Sequence, residues 1–118
     1  AADKMAESIR HYFNGKKLIY IMGVFADKEY KIVLEKTAHF AEKIYTIETP
    51  DNPRALPAEE LAKAASVYNS SAESTKSIKD AVEKAFSCAG DDENSVILAF
   101  GSLSFIGALT DAVEEYVG

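Results

Sequence analysis

Three short apolar runs, each followed by a stretch with helical spacing, constrain this chain more than any other feature. They are Leu18-Ile19-Tyr20-Ile21-Met22 closed by Gly23, then Lys43 to Ile47, then Ser95 to Phe100 ended by Gly101-Ser102. A continuous apolar run of this length fits a strand buried on both faces, as in a parallel sheet. Between the runs, apolar residues recur at three- and four-residue steps, the mark of a helix with one buried face. Met5, Ile9, Tyr12 and Phe13 form the first such face, ended by Asn14-Gly15. Tyr30, Val33, Leu34, Thr37, Ala38 and Ala41 form the second, with Asp27 as its N-cap. Leu61, Ala62, Ala65 and Tyr68 form the third, with Glu59 and Glu60 in a first turn where carboxylates favour the helix dipole. Ile78, Ala81, Val82, Ala85, Phe86 and Ala89 form the fourth, opened by the capping-box variant Ser77-Ile78-Lys79-Asp80. Leu103, Ile106, Leu109, Val113 and Tyr116 or Val117 form the last. Residues 69–76 fit either a loop or a short polar edge strand. The alternation predicts an α/β fold of three layers, with a mainly parallel sheet of three to five strands and helices on both faces.

At 118 residues this is one domain, 1–118, with no repeat, linker or low-complexity tract inside it. The opening Ala1-Ala2-Asp3-Lys4-Met5 already lies in a helical pattern without a cap, which reads as a domain cut from a longer protein. A net charge of −6 argues against a nucleic acid or an anionic membrane as the main partner. No apolar run is long enough to cross a bilayer, and none resembles a signal peptide. The single Cys88 excludes an internal disulfide and suits a reducing cytoplasm.

In such folds ligands gather at the carboxyl ends of the strands. Here those ends are Gly23 to Lys28, Pro50 to Arg54, and Gly101-Ser102. The second opens the loop Pro50 to Pro57, which holds all three prolines of the chain and is therefore stiff. A stiff loop carrying Asp51, Asn52 and Arg54 can aim side chains at a ligand; it can equally be a plain strand-to-helix connection. Arg54 suits bidentate binding of a carboxylate, with Asn52 as an amide donor beside it. Ser102, after Gly101 at a helix start, suits an anion or serves as an N-cap. Lys28 is either a ligand-facing cation or a solvated surface lysine. Together Lys28, Asn52, Arg54 and Ser102, supported by Asp27, Asp51 and Gly101, suit a small substrate bearing carboxylates, such as an amino acid.

Other reactive residue types carry no site in this reading. His11 and His39 sit alone on helices, without a second ligand at metal spacing. Cys88 has no nearby His and reads as a packed thiol. Asp91-Asp92-Glu93 reads as a solvated turn, and no glycine-rich nucleotide loop occurs.

Phe25-Ala26-Asp27-Lys28-Glu29-Tyr30, Pro50-Asp51-Asn52-Pro53-Arg54-Ala55-Leu56 and Phe100-Gly101-Ser102-Leu103 resemble the C-terminal domain of folylpolyglutamate synthase / dihydrofolate synthase, of the Mur ligase superfamily. The resemblance spans essentially the whole chain. It implies a Rossmann-like module of an ATP-dependent ligase that helps bind the incoming amino acid and closes over a central ATPase domain. A folate carboxylate is phosphorylated there and attacked by the amine of glutamate. The resemblance makes Lys28 and Ser102 candidates for the incoming carboxylates. Asn52-Pro53-Arg54 is similar to an amino-acid-selecting loop of related peptidoglycan ligases. It also implies that ATP and Mg2+ bind mainly outside these residues, in the central domain, so the chain alone is expected to be inactive. The Asp-Gly-Ala-His-Asn motif of the family, which contacts nucleotide, is missing from the chain. Two rivals stand beside this reading. A receiver-like signalling domain needs clustered strand-end acids and a late lysine, and a dinucleotide-binding domain needs a glycine fingerprint; both fit the residues poorly.

Overall fold

The computed structural model describes residues 2–26, 30–50, 52–101 and 106–118. In chain order the elements are α1 (Ala2–Tyr12), β1 (Lys17–Gly23), α2 (Tyr30–Thr37), a 3-10 turn (Ala38–Phe40), β2 (Ala41–Thr46), α3 (Ala58–Ala65), β3 (Ala72–Ser74), α4 (Ile78–Ala89), β4 (Ser95–Gly101) and α5 (Ile106–Val117). The four strands make one sheet in the order β3-β2-β1-β4, and every pairing is parallel. The expected α/β architecture is the one observed, with residues 69–76 supplying a three-residue edge strand.

β1 is the central strand, and its side chains alternate between two cores. Leu18, Tyr20 and Met22 join Ile9, Leu34, Leu61 and Ala65, so α1, α2 and α3 cover one face. Ile19 and Ile21 join Ile78, Val82, Ala85 and Ala112, so α4 and α5 cover the other. Burial on both faces explains why the run carries no polar residue between Leu18 and Met22. The Tyr20 hydroxyl is accommodated by donating to the Thr37 carbonyl at 2.7 Å. Burial pushes this phenol above its ordinary titration range.

That hydrogen bond also marks where the second helix departs from its predicted length. Thr37 and Ala38 are fully buried as expected, but the α-helix stops at Thr37, and Ala41 already belongs to β2. A helix end leaves carbonyls without intrahelical donors. Here the Tyr20 hydroxyl takes that of Thr37, while the Asn69 amide donates to those of Ala38 (2.9 Å) and Ala41 (2.7 Å). Helical spacing could not reveal either donor, because both come from distant parts of the chain. Two other stripe positions are also corrected. Tyr12 is 72 % exposed, and Ala6 and Ile9 carry the buried face of α1. Tyr68 lies beyond the end of α3 and is 42 % exposed, leaving Leu61 and Ala65 as its buried anchors.

The cap of α4 follows the expected variant. The Ser77 hydroxyl accepts from the Asp80 backbone N–H at 3.0 Å, and the Asp80 carboxylate accepts from that of Lys76 at 3.0 Å. On the edge strand, Glu73 lies between Lys43 (3.1 Å) and Lys84 (2.8 Å), tying β3 to β2 and α4. Hydrogen bonds from Lys84 and then Lys43 hold its carboxyl below the ordinary range.

Candidate functional site

The sheet order places a topological switch between β1 and β4. After β1 the chain goes to the helices of one face, and after β4 to α5 on the other. Divergence of neighbouring connections opens a crevice at the carboxyl edge, the usual ligand position in open parallel sheets. The last register pair of the two strands is Gly23 with Gly101, so neither contributes a side chain to that edge.

The proline loop reaches the same place from the other side. Its backbone folds back as a short antiparallel ribbon on the segment leaving β1. Ala26 N–H donates to the Arg54 carbonyl at 2.7 Å, and Leu56 N–H donates to the Val24 carbonyl at 2.9 Å, with Phe25 opposite Ala55. The exit of β1 is therefore bracketed by β4 at Gly23 and by the loop at Ala26. Leu56 is buried and anchors the ribbon to the core of the first face. Asn52 shapes the turn: its side-chain oxygen accepts from Arg54 N–H at 2.9 Å, and its carbonyl from Ala55 N–H at 3.1 Å. That leaves the amide NH2 as the donor end of Asn52. The Arg54 side chain is exposed, with its guanidinium 5.4 Å from the centroid of the Phe25 ring. A guanidinium at this distance is attracted by the ring quadrupole.

Beneath the loop, packing is tight. A Cβ added to Gly23 would lie 2.8 Å from both Cδ1 and Cγ1 of Ile47 and 3.3 Å from Thr49 Oγ1. Thr49 is 1 % exposed and its hydroxyl has no hydrogen-bond partner. Further along the edge, toward α4 and α5, lies an open groove of about 800 Å³. Pro50 and Pro57, the two ends of the loop, line it, together with Glu59, Lys76, Asp111 and others. Neither Asn52 nor Arg54 lines this groove, so the arginine stands at the β1 exit and not in the groove.

Of the residues predicted for the site, Asp27, Lys28, Asp51 and Ser102 lie outside the described residues. Arg54, Asn52 and Gly101 are described, and the structure sets the first and last of these on either side of the β1 exit. Sequence reasoning gave no role to Phe25 or Thr49. An aromatic residue directly after a buried strand, facing a loop with one arginine, was the available signal for Phe25. His11 and His39 are exposed and lie against Tyr12 and Phe40. Among the described residues no group of three or more His, Cys, Asp or Glu side chains could hold a metal. Among them, too, no helix is long and apolar enough to cross a membrane.

A parallel sheet wound in both directions, with a stiff arginine-bearing loop folded over its switch point, defines a Rossmann-like module. The family model for the Mur ligase glutamate ligase domain matches residues 1–103, and the chain belongs to that family. Its fold is similar to that of solved folylpolyglutamate synthases. The Mycobacterium tuberculosis enzyme complexed with ADP and AMPPCP superposes with a TM-score of 0.74 at 23% identity, covering 98% of this chain and 26% of that one. E. coli FolC in complex with DHPP and ADP gives a TM-score of 0.81 at 16% identity, covering 99% and 27%. The Thermotoga maritima enzyme gives 0.70 at 23% identity, covering 96% and 25%. The chain thus spans about a quarter of the length of these relatives. No curated protein sequence matches it.

Proposed function

We propose that this chain is the amino-acid-binding C-terminal domain of an ATP-dependent ligase that joins glutamate to folate through an amide bond. The observation that carries the reading is the glutamate ligase domain match over residues 1–103, on a fold that presents Arg54 at the switch-point edge. The solved relatives include folylpolyglutamate synthases bound to ADP, which supports ATP as the co-substrate of the whole enzyme. In the whole enzyme, ATP with Mg2+ supplies activation of the folate carboxylate, and both are held mainly by a central domain outside this chain. The chain's own residues bind and orient the amino acid. Arg54 offers a planar, permanently charged fork to a glutamate carboxylate. Asn52 supplies an amide donor beside it, and Lys28 and Ser102 complete the set of carboxylate partners, with Asp27, Asp51 and Gly101 in support. Holding the amine against the activated carboxylate turns a bimolecular encounter into a positioned attack. Cytoplasm is the compartment, where the free thiol of Cys88 stays reduced. The receiver-like alternative is not favoured, because the family match and every solved relative cited are of ligases.

The test is Arg54→Ala in the full ligase polypeptide, with glutamate use measured at fixed ATP and folate. It should weaken glutamate use by about 1.5–3 kcal/mol, the range for a hydrogen bond to a charged group. Arg54→Lys should not restore it, because lysine lacks the bidentate fork. An unchanged glutamate dependence in Arg54→Ala would overturn the reading.

A further inference from the structure

We infer that the Thr49 hydroxyl is a further contact of the amino-acid site, donating to a carboxylate oxygen of the incoming amino acid. The inference rests on the reading that the carboxyl edge of this sheet receives that amino acid. Three threonines are buried among the described residues: Thr37, Thr46 and Thr49. Two of them give their hydroxyls to backbone carbonyls, Thr37 to Val33 at 2.7 Å and Thr46 to Ala58 at 2.6 Å. Thr49 is just as buried, yet its Oγ1 has no hydrogen-bond partner. A hydroxyl taken out of water without a replacement hydrogen bond costs stability, so such an atom calls for an explanation. Among the described residues the other unpartnered buried side-chain atom is Ser95 Oγ. It stands at the start of β4, at the amino edge of the sheet, away from the strand ends where ligands gather.

Thr49 stands at the opposite, carboxyl edge. Ile19, Ile21 and Ile47 pack beneath α4 and α5. Alternation along β1 turns Gly23 to that same face, where a Cβ would lie 2.8 Å from Ile47 and 3.3 Å from Thr49 Oγ1. The hydroxyl therefore stands beside Ile47, over the last residue of β1. Gly23 is in register with Gly101, so neither strand end brings a side chain to that point of the edge. Thr49 is held from both directions along the chain. Before it, Ile47 N–H donates to the Met22 carbonyl; after it, the proline loop is tied to Val24 and Ala26. A threonine hydroxyl can donate where a carboxylate oxygen accepts, and a bond made here is shielded from competing water. The hydroxyl is covered in the free chain, so the contact belongs to the bound state, in which the ligand has parted the edge.

The experiment measures steady-state kinetics and thermal unfolding of the full ligase polypeptide with Thr49→Val, Thr49→Ser and Thr49→Ala. Valine replaces the hydroxyl by a methyl group of similar size, and serine and alanine differ only in the hydroxyl, so two comparisons isolate one atom. Thr49→Val should raise the glutamate KM about ten-fold or more, the loss of a hydrogen bond to a charged group, with the KM values for ATP and folate unchanged. Its unfolding midpoint should hold or rise, because the free protein loses no hydrogen bond. Thr49→Ser should lower the midpoint by losing a buried methyl group, yet keep the glutamate KM near the parent value. Thr49→Ala should match Thr49→Val in glutamate KM. Four results overturn the inference: an unchanged glutamate KM in Thr49→Val, a lowered midpoint in that variant, equal glutamate KM values in the serine and alanine variants, or parallel rises for all three substrates. Those results leave the proposed function standing if Arg54→Ala impairs glutamate use. If Arg54→Ala has no effect, the proposed function fails instead.

Discussion

Adding one methyl group at Gly23 tests the packing that closes the carboxyl edge of the sheet. The new Cβ would sit 2.8 Å from Ile47 Cδ1 and Cγ1, closer than carbon atoms in a folded protein approach. Ile47 is fully buried, and its backbone N–H donates to the Met22 carbonyl at 2.7 Å, so it cannot retreat as a unit. Rotation about χ2 moves Cδ1 but leaves Cγ1 in place, and the β-branch restricts rotation about χ1. Overpacking of this kind costs about 1–3 kcal/mol. Against it stands a gain of about 0.4–1 kcal/mol, because alanine restricts the unfolded chain more than glycine does. Gly23→Ala should therefore destabilise the protein by up to about 2.6 kcal/mol, measured by urea unfolding with an unchanged m-value. The decisive comparison uses Ile47→Ala, which removes both offending atoms and by itself costs about 2–5 kcal/mol. In that background the added methyl group occupies vacated space, so Gly23→Ala should become neutral or stabilising. The interaction energy of the double-mutant cycle should be about 1–3 kcal/mol in favour of the double variant. An equal cost in both backgrounds would refute the idea that Gly23 exists to admit Ile47.

Three further outcomes follow from single contacts. Tyr20→Phe should cost about 1–3 kcal/mol in unfolding free energy, because the buried Thr37 carbonyl loses its side-chain donor. Ser77→Ala should cost about 1 kcal/mol by removing the α4 cap, and Ser77→Asp should recover most of it, both read by thermal unfolding. Glu73 has a lowered folded-state pKa, so its contribution is fully present above the ordinary carboxylate value near 4.5 and is lost as pH falls through the folded value. At 42 % side-chain exposure it contributes no more than about 1 kcal/mol, and Glu73→Gln should flatten the stability profile on the acid side of that ordinary value by that amount.

Local pattern determined a large part of this protein. The apolar runs and helical stripes specify the type and order of nearly every element, since burial on one helix face or both strand faces imposes a period visible in any short window. The Ser77 cap was legible for the same reason: donor and acceptor stand three residues apart. So was the three-proline loop, whose stiffness comes from its own rings. Its place at the carboxyl edge was also legible, because parallel strands put the loops that follow them at one end. What only the tertiary structure decided are the meetings between distant segments. Tyr20 and Asn69 end the second helix and release Ala41 to a strand, although the spacing of Ala38 and Ala41 continues a helical stripe. Tyr12 fits the stripe of α1 yet stays in solvent, because the buried arc of that helix is narrow and Ala6 with Ile9 fills it. Ile47 fills the space above Gly23, and the Phe25 ring lies by Arg54, across separations in sequence that no periodicity reports. A period encodes which face of an element is apolar. The partner that covers that face, and the atom that answers a given carbonyl or cation, are fixed only when the sheet brings its strands into register.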